Sequence, residues 1–302
     1  MAEKQEPLSE HEHRHDHGHG TAPGGQNWGE LGSHLELQAE VLAPVLAEAV
    51  SLLRSLAASG ALPVRQVVDI GSGPGTAATV LAEAFPDASV LALEQAPALL
   101  ATIRERADRM GLGQRVTAVP TDLEKGLGVL PPIDIAWASM VLHHLADAAG
   151  LLRQLHSTLR PGGLVALVEF GPPTRTLPHV LGFGEPGFGR RHADALRAAI
   201  EAHLPPGAMR IDWAATLSSA GFEDVLQRTS VVDLGSPLPE RARQWVCQEF
   251  ARTAVTLQER LTAADRATLA ILLDPGDPRA LLHRPDLELH AGRSLYIARK
   301  PR

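Results

Sequence analysis

The chain has a single cysteine, Cys247, so no disulfide can form within it and no set of thiolates is present to hold a metal. It has a single tyrosine, Tyr296, close to the C-terminal end. Positive charge is not in excess: 28 Lys and Arg against 35 Asp and Glu give 28 − 35 = −7, so electrostatics offer nucleic acid no foothold. No apolar run reaches the roughly 18 residues of a membrane helix. The first thirty residues are polar and lack the apolar stretch of a signal peptide. These absences point to a cytoplasmic protein with neither a membrane nor a nucleic acid as partner.

What is present suits a folded core. Of 302 residues, 44% are hydrophobic and 21% charged, enough for one large domain with insertions or for two small domains. Residues 1–27 are polar and then Gly-rich, and are expected to form a disordered tail. His11, His13, His15, His17 and His19 alternate within it. Such a run has adventitious affinity for transition metals, and no metal site is assigned to it. Residues 28–63 read as an N-terminal helical segment. Leu35, Leu42, Leu46, Val50 and Leu53 fall largely on one face of a helix over Leu35–Leu56. Ser33 and Glu36 have the spacing of a capping box, and Pro44 marks a bend or a break. The segment is either a helix packed on the core or a lid that would turn Trp28 and His34 towards a pocket.

From residue 64 the pattern alternates strand and helix. Strands are expected at Gln66–Ile70, Ser89–Glu94, Arg115–Pro120, Ile133–Met140 and Leu164–Phe170, and helices at Ala96–Met110 and Asp147–Leu159. Short, continuous apolar strands fit a mostly parallel sheet covered on both faces, and so a doubly wound α/β fold. Residues 64–171 form the expected core. Residues 172–210 read as an insertion with a helix near Arg190–His203. Residues 211–236 return a helix (Asp212–Ala220) and a strand to the core. Residues 237–289 read as a second, helical insertion, and residues 290–302 as a final strand at Ser294–Arg299. Insertions of this kind are expected as a helical cap above the carboxyl ends of the strands.

The chain is organised around Val67-Val68-Asp69-Ile70-Gly71-Ser72-Gly73-Pro74-Gly75, a buried strand running into a glycine turn before a helix. Glycine lets a ligand approach the main chain, and the helix N-terminus offers free N–H groups. Glu94, ending the second strand, can accept hydrogen bonds from both hydroxyls of a ribose, or stand as a solvated charge. Asp122, after the third strand, can accept from an adenine amino group with Leu123 packed on the ring, or cap a turn.

Together with Ala138-Ser139-Met140-Val141-Leu142-His143-His144-Leu145 and Leu159-Arg160-Pro161-Gly162-Gly163, these motifs resemble the class I S-adenosylmethionine-dependent methyltransferases. The resemblance is close over residues 64–171 and looser beyond. It implies a seven-stranded Rossmann-like sheet whose last strand is antiparallel. A nicotinamide-dependent reductase fits less well: position 76 is Thr where its glycine fingerprint continues, and Tyr296 has no Tyr-x-x-x-Lys context. A non-catalytic binding protein of the same fold is the other alternative.

The resemblance implies S-adenosylmethionine as cofactor and S-adenosylhomocysteine as product. Asp69, Gly71, Gly73 and Gly75 would seat the methionine end, Glu94 and Gln95 the ribose, and Asp122 and Leu123 the adenine. Ser139 and Met140 would lie near the sulfonium. His143, His144 and Glu169 are candidate bases for an acceptor that must lose a proton, with His192 a more distant one. No Asn/Asp-Pro-Pro-Tyr/Phe motif follows the fourth strand, and no clear acidic metal set is visible. A small-molecule acceptor, methylated on O, N or C, is expected, and a homodimer is compatible with the sequence.

Overall fold

The computed structural model describes residues 21–22 and 26–302, with side chains from Gly32 onward. Seven strands make one sheet: β1 (Gln66–Ile70), β2 (Ser89–Glu94), β3 (Val116–Pro120), β4 (Ile133–Ser139), β5 (Leu159–Phe170), β6 (Glu223–Leu234) and β7 (Leu289–Arg299). Their order is β3-β2-β1-β4-β5-β7-β6. The neighbours from β3 to β5 pair in parallel, while β7 lies antiparallel to both β5 and β6.

The central strands are mostly apolar because both faces are covered, with Asp69 and Asp134 the buried exceptions. In β1 and β4, Val67, Ile135 and Trp137 point to one face, and Val68, Ile70, Ala136 and Ala138 to the other. The first face packs on α2 (Ala43–Ser59), α3 (Thr76–Ala84) and α4 (Pro97–Arg109). The second packs on α5 (Ala148–Thr158) and α7 (Trp213–Ser219). The doubly wound α/β expectation therefore holds.

Asp134 fixes the amino-terminal edge of this sheet. Its buried carboxylate accepts from the backbone N–H groups of Arg65 (2.7 Å) and Gln66 (2.9 Å) and from the Arg160 guanidinium (2.7 Å). It thereby joins the starts of β1, β4 and β5. Asp134→Ala would orphan two N–H groups and a cation, and is expected to lower unfolding free energy by about 3 kcal/mol in a urea titration.

The N-terminal segment is two helices, not one. α1 (Trp28–Val41) and α2 meet at Leu42, with Pro44 in the first turn of α2. The described part of α1, Gly32–Val41, is bent 70° from α2. Proline lacks the N–H that would continue the helical ladder, so it begins a helix more readily than it extends one. Ser33 lies inside α1, and Glu36 pairs with Arg106 of α4 (2.5 Å), so the expected capping box is replaced by a tertiary ion pair. No single described helix is long and apolar enough to cross a membrane.

Thr21–Ala22 pairs antiparallel with Gln26–Asn27, so disorder expected over residues 1–27 does not extend to these four. The alternating histidines from His11 to His19 and the Trp28 side chain lie outside the described residues.

Both long insertions leave and re-enter at the carboxyl edge. One follows Phe170 and contains α6 (Phe188–Glu201). The other follows Leu234, contains α8 (Glu240–Leu257) and α9 (Ala263–Leu273), and returns into β7 at Leu289. The helical insertion is two helices rather than one, because Thr262 caps α9, accepting from the Asp265 N–H (3.1 Å). α8 packs against α1, α6 and α9. β7 begins at Leu289, ahead of the strand expected at Ser294, since His290 to Gly292 continue the ladder with β6.

Candidate active site

β1 stops at Ile70 and the chain turns through Gly71 (φ 64°) and Gly75 (φ 80°), both in the left-handed region. A Cβ on Gly71 would run into the Val141 side chain, and one on Gly75 would come within 2.9 Å of Ile103. The first glycine keeps a space open, and the second lets α3 pack on α4.

The loop leads to a cavity of about 250 Å³ at the carboxyl ends of four strands. Gly71 comes from the β1 end, Glu94 and Gln95 from β2, Thr121 to Glu124 from β3, and Met140, Val141, His144 and Leu145 from β4. A larger open hollow, about 600 Å³, lies at the opposite edge between α2 and the starts of β1 and β2. It gathers Arg54, Arg65 and Asp87 on a surface with no buried polar focus.

The Glu94 carboxylate is held by the main chain. Oε2 accepts from the Gly73 N–H (2.9 Å), and Oε1 from Gln95 (2.8 Å) and Ala96 (3.0 Å). Of roughly four acceptor positions on a carboxylate, three are filled. Asp122 accepts from the Glu124 N–H (3.2 Å) and pairs with Lys125 (3.0 Å). Glu124, absent from the sequence expectation, accepts from the Ala146 N–H (3.2 Å) and so ties the β3 loop to the β4 loop.

Asp69 lies beneath the glycine loop, 1% exposed, with Oδ2 lacking any partner among the described residues. Burial pushes its pKa up to about 7; hydrogen bonding by Ser72 works against this and the charge of Glu94 adds to it. Met140 adopts φ 54° immediately after β4, with its N–H bonded to the Val168 carbonyl (2.8 Å). That bend turns Met140 and Val141 into the cavity, while Ser139, the last strand residue, does not line it.

Behind the cavity wall sits a dyad. His143 Nδ1 is 2.6 Å from Glu169 Oε2, with exposures of 2% and 1%. The imidazole packs 4.4 Å from the Phe170 ring and 4.3 Å from His144. His144 is pushed down to about 4, first by burial and then by electrostatic interaction with the neighbouring His143, so it lines the cavity as a neutral ring. His192 is elsewhere, stacked on Phe250 at 4.2 Å, and burial pushes it down to about 4.

The structure thus brings Gly71, Glu94, Gln95, Asp122, Leu123, Met140 and His144 around one space, with His143 and Glu169 next to it. Gly73 joins it through its N–H on Glu94, and Asp69 from below. Thr121, Glu124, Val141 and Leu145 were missed. Each is adjacent to, or within two positions of, an expected residue. Among the described residues no group of three or more His, Cys, Asp or Glu is placed to hold a metal ion.

Known proteins give this geometry its context. Residues 68–165 match a family model described as a methyltransferase domain. The chain is 31% identical over 206 residues to a trans-aconitate 2-methyltransferase of Methylobacterium radiotolerans, covering 62% of this chain and 76% of that protein. It is 35% identical over 170 residues to an acetylserotonin O-methyltransferase of Mus musculus molossinus, covering 52% of this chain and 43% of that protein, less than half of its length. The YcgJ protein of Bacillus subtilis has the same fold, with a TM-score of 0.51 at 16% identity over 85% of this chain and 99% of that one. The methyltransferase match leaves no role for the nicotinamide alternative, and the chain belongs to the class I S-adenosylmethionine-dependent methyltransferases.

Proposed function

We propose that this protein transfers the methyl group of S-adenosylmethionine to an oxygen atom of a small-molecule acceptor, with His143 taking the acceptor's proton. The observation carrying this reading is the buried His143–Glu169 dyad directly behind the cofactor cavity. S-adenosylmethionine supplies an activated methyl on a sulfonium, and the protein's work is alignment in a dry site. A sulfonium needs no acid, but a hydroxyl nucleophile must lose a proton. A neutral amine or a carboxylate does not need a buried dyad at the point of attack. The acceptors named for the two curated relatives are small molecules, which supports the same class.

The residues present fit the cofactor. Glu94 has one acceptor position left for a ribose hydroxyl; release of the Gly73 N–H frees a second. Nothing surrounds a Cβ placed on Gly73, so that segment has room to shift. The unpartnered oxygen of Asp69 suits a cationic amino group. Asp122 and Leu123 would hold adenine, and Met140 would lie near the sulfonium. Gly71→Ala would press a methyl onto Val141 and strain a left-handed residue. It is expected to weaken S-adenosylhomocysteine binding roughly tenfold or more by calorimetry.

The test is binding followed by transfer. Calorimetry should show S-adenosylmethionine and S-adenosylhomocysteine binding and NADPH not binding. Mass spectrometry should then find a methylated product from a panel of small hydroxylated acceptors. Binding without transfer across the panel would favour a non-catalytic protein.

A further inference from the structure

Beneath the cap lies a second group of charged side chains, drawn from elements far apart in the chain. β5 and β7 place Phe170 directly opposite Arg293, and Phe170 packs on the His143 ring (4.4 Å). Arg293 therefore sits one strand spacing from the residue that touches the dyad. The strands are pinched here: a Cβ on Gly171 would come within 2.8 Å of the Arg293 Cα, so the backbone carrying Arg293 is held close against β5.

Both nearby glutamates are already engaged. Glu249 on α8 pairs with His34 of α1 (3.0 Å) and with Arg252 (3.0 Å). Glu169 pairs with His143. Arg293 is close enough to feel the charge of both, and forms no ion pair with either. Its Nη1 donates only to the Gly292 carbonyl (2.9 Å). Other arginines of the cap differ: Arg191 holds Asp265 (2.8 Å) and Arg284 holds Asp286 (2.6 Å). Arg293 is partly buried, and an arginine in that setting with no carboxylate of its own is suited to a ligand that supplies one. Two further buried polar atoms also lack partners, Glu169 Oε1 beside the dyad and His192 Nε2 on α6. Polar groups of this kind can take a partner from a bound polar molecule.

We infer that Arg293 selects the acceptor by binding a carboxylate that the acceptor carries, so that the methylated molecule is a hydroxylated organic acid. This rests on the methyl-transfer reading above. The acid end meets the guanidinium through a charge-assisted, planar pair of hydrogen bonds. The hydroxyl end is presented to His143. During transfer the oxygen-to-methyl bond forms, the sulfur-to-methyl bond breaks, the sulfonium becomes a neutral thioether, and the hydroxyl proton passes to His143.

The experiment titrates the protein, preloaded with S-adenosylhomocysteine, with hydroxybenzoates, hydroxycinnamates and aliphatic hydroxy acids, each beside its uncharged amide. At least one acid is expected to bind tenfold or more tighter than its amide. Arg293→Met should lose about 30-fold for that acid and little for the amide, Arg293→Lys should lose less, and both should keep wild-type affinity for S-adenosylhomocysteine. Equal binding of acid and amide, an unchanged Arg293→Met, or no acid bound anywhere in the panel would overturn the inference. If Arg293→Met does not fold, the acid and amide comparison on the wild-type chain decides alone. Failure of the wild-type chain to bind S-adenosylhomocysteine would sink the methyl-transfer reading instead.

Discussion

His143→Ala is expected to lower kcat for a hydroxylated acceptor about a thousandfold, within the range that positioned general bases supply, and to change S-adenosylhomocysteine affinity only a few-fold. The imidazole is almost fully buried and is fixed by Glu169 through Nδ1, which leaves Nε2 as the atom that can take a proton. Glu169→Gln keeps the shape but removes the charge that stabilises an imidazolium, and should cost kcat about a hundredfold. The double variant should be little worse than His143→Ala, because the two side chains act as one unit. A purely structural role predicts something else, since the ring packs between His144 and Phe170 and its loss would leave a void. In that case stability and kcat would fall together, and added imidazole would restore neither. Partial rescue of His143→Ala by imidazole, with stability left near wild type, would mark the ring as the base. A kcat within threefold of wild type would remove it from the mechanism.

The core was readable because its physics is local in sequence. β1 and β4 are buried on both faces and so read as largely apolar runs, each interrupted by one aspartate, and Gly71 and Gly75 stand where the backbone needs a positive φ. Glu94 and Asp122 were findable because in a parallel sheet the end of every strand faces the same edge. Val141 was harder: besides lining the cavity it lies against Gly71 across the loop, a relation no spacing encodes. The cap was least legible. The His34–Glu249 pair joins α1 to α8, and the importance of Arg293 comes from lacking what Arg252 and Arg284 have. Such facts exist only once helices from distant parts of the chain have packed. Pro44 shows the middle case, since its missing N–H demands an interruption but does not say how far the chain turns.

Asp69 should couple cofactor binding to pH. Burial, the largest cause, raises its pKa from 3.8 to about 7, with the Glu94 charge adding to the effect. A raised carboxylate pKa means that folding disfavours the charged form. The free protein then bears no penalty where Asp69 is protonated in both folded and unfolded chains, below about pH 4. The penalty grows as pH rises towards 7 and is constant above it, reaching roughly 4 kcal/mol for a shift of this size. Asp69→Asn should therefore raise Tm at pH 8 and leave it nearly unchanged at pH 4. In the proposed complex the preference is reversed, because the cofactor's amino group, mostly protonated below pH 8, would give the unpartnered Oδ2 a cation. In the complex the carboxylate pKa falls, and binding below pH 7 must first expel a proton. Affinity for S-adenosylhomocysteine should accordingly weaken by up to tenfold per pH unit from 7 down towards 5, with proton release visible as buffer-dependent heats. Asp69→Asn should bind more weakly at pH 8 and show a flat profile. A wild-type affinity that is flat from pH 5 to 8 would mean that Asp69 keeps one protonation state throughout, serving only to shape the loop.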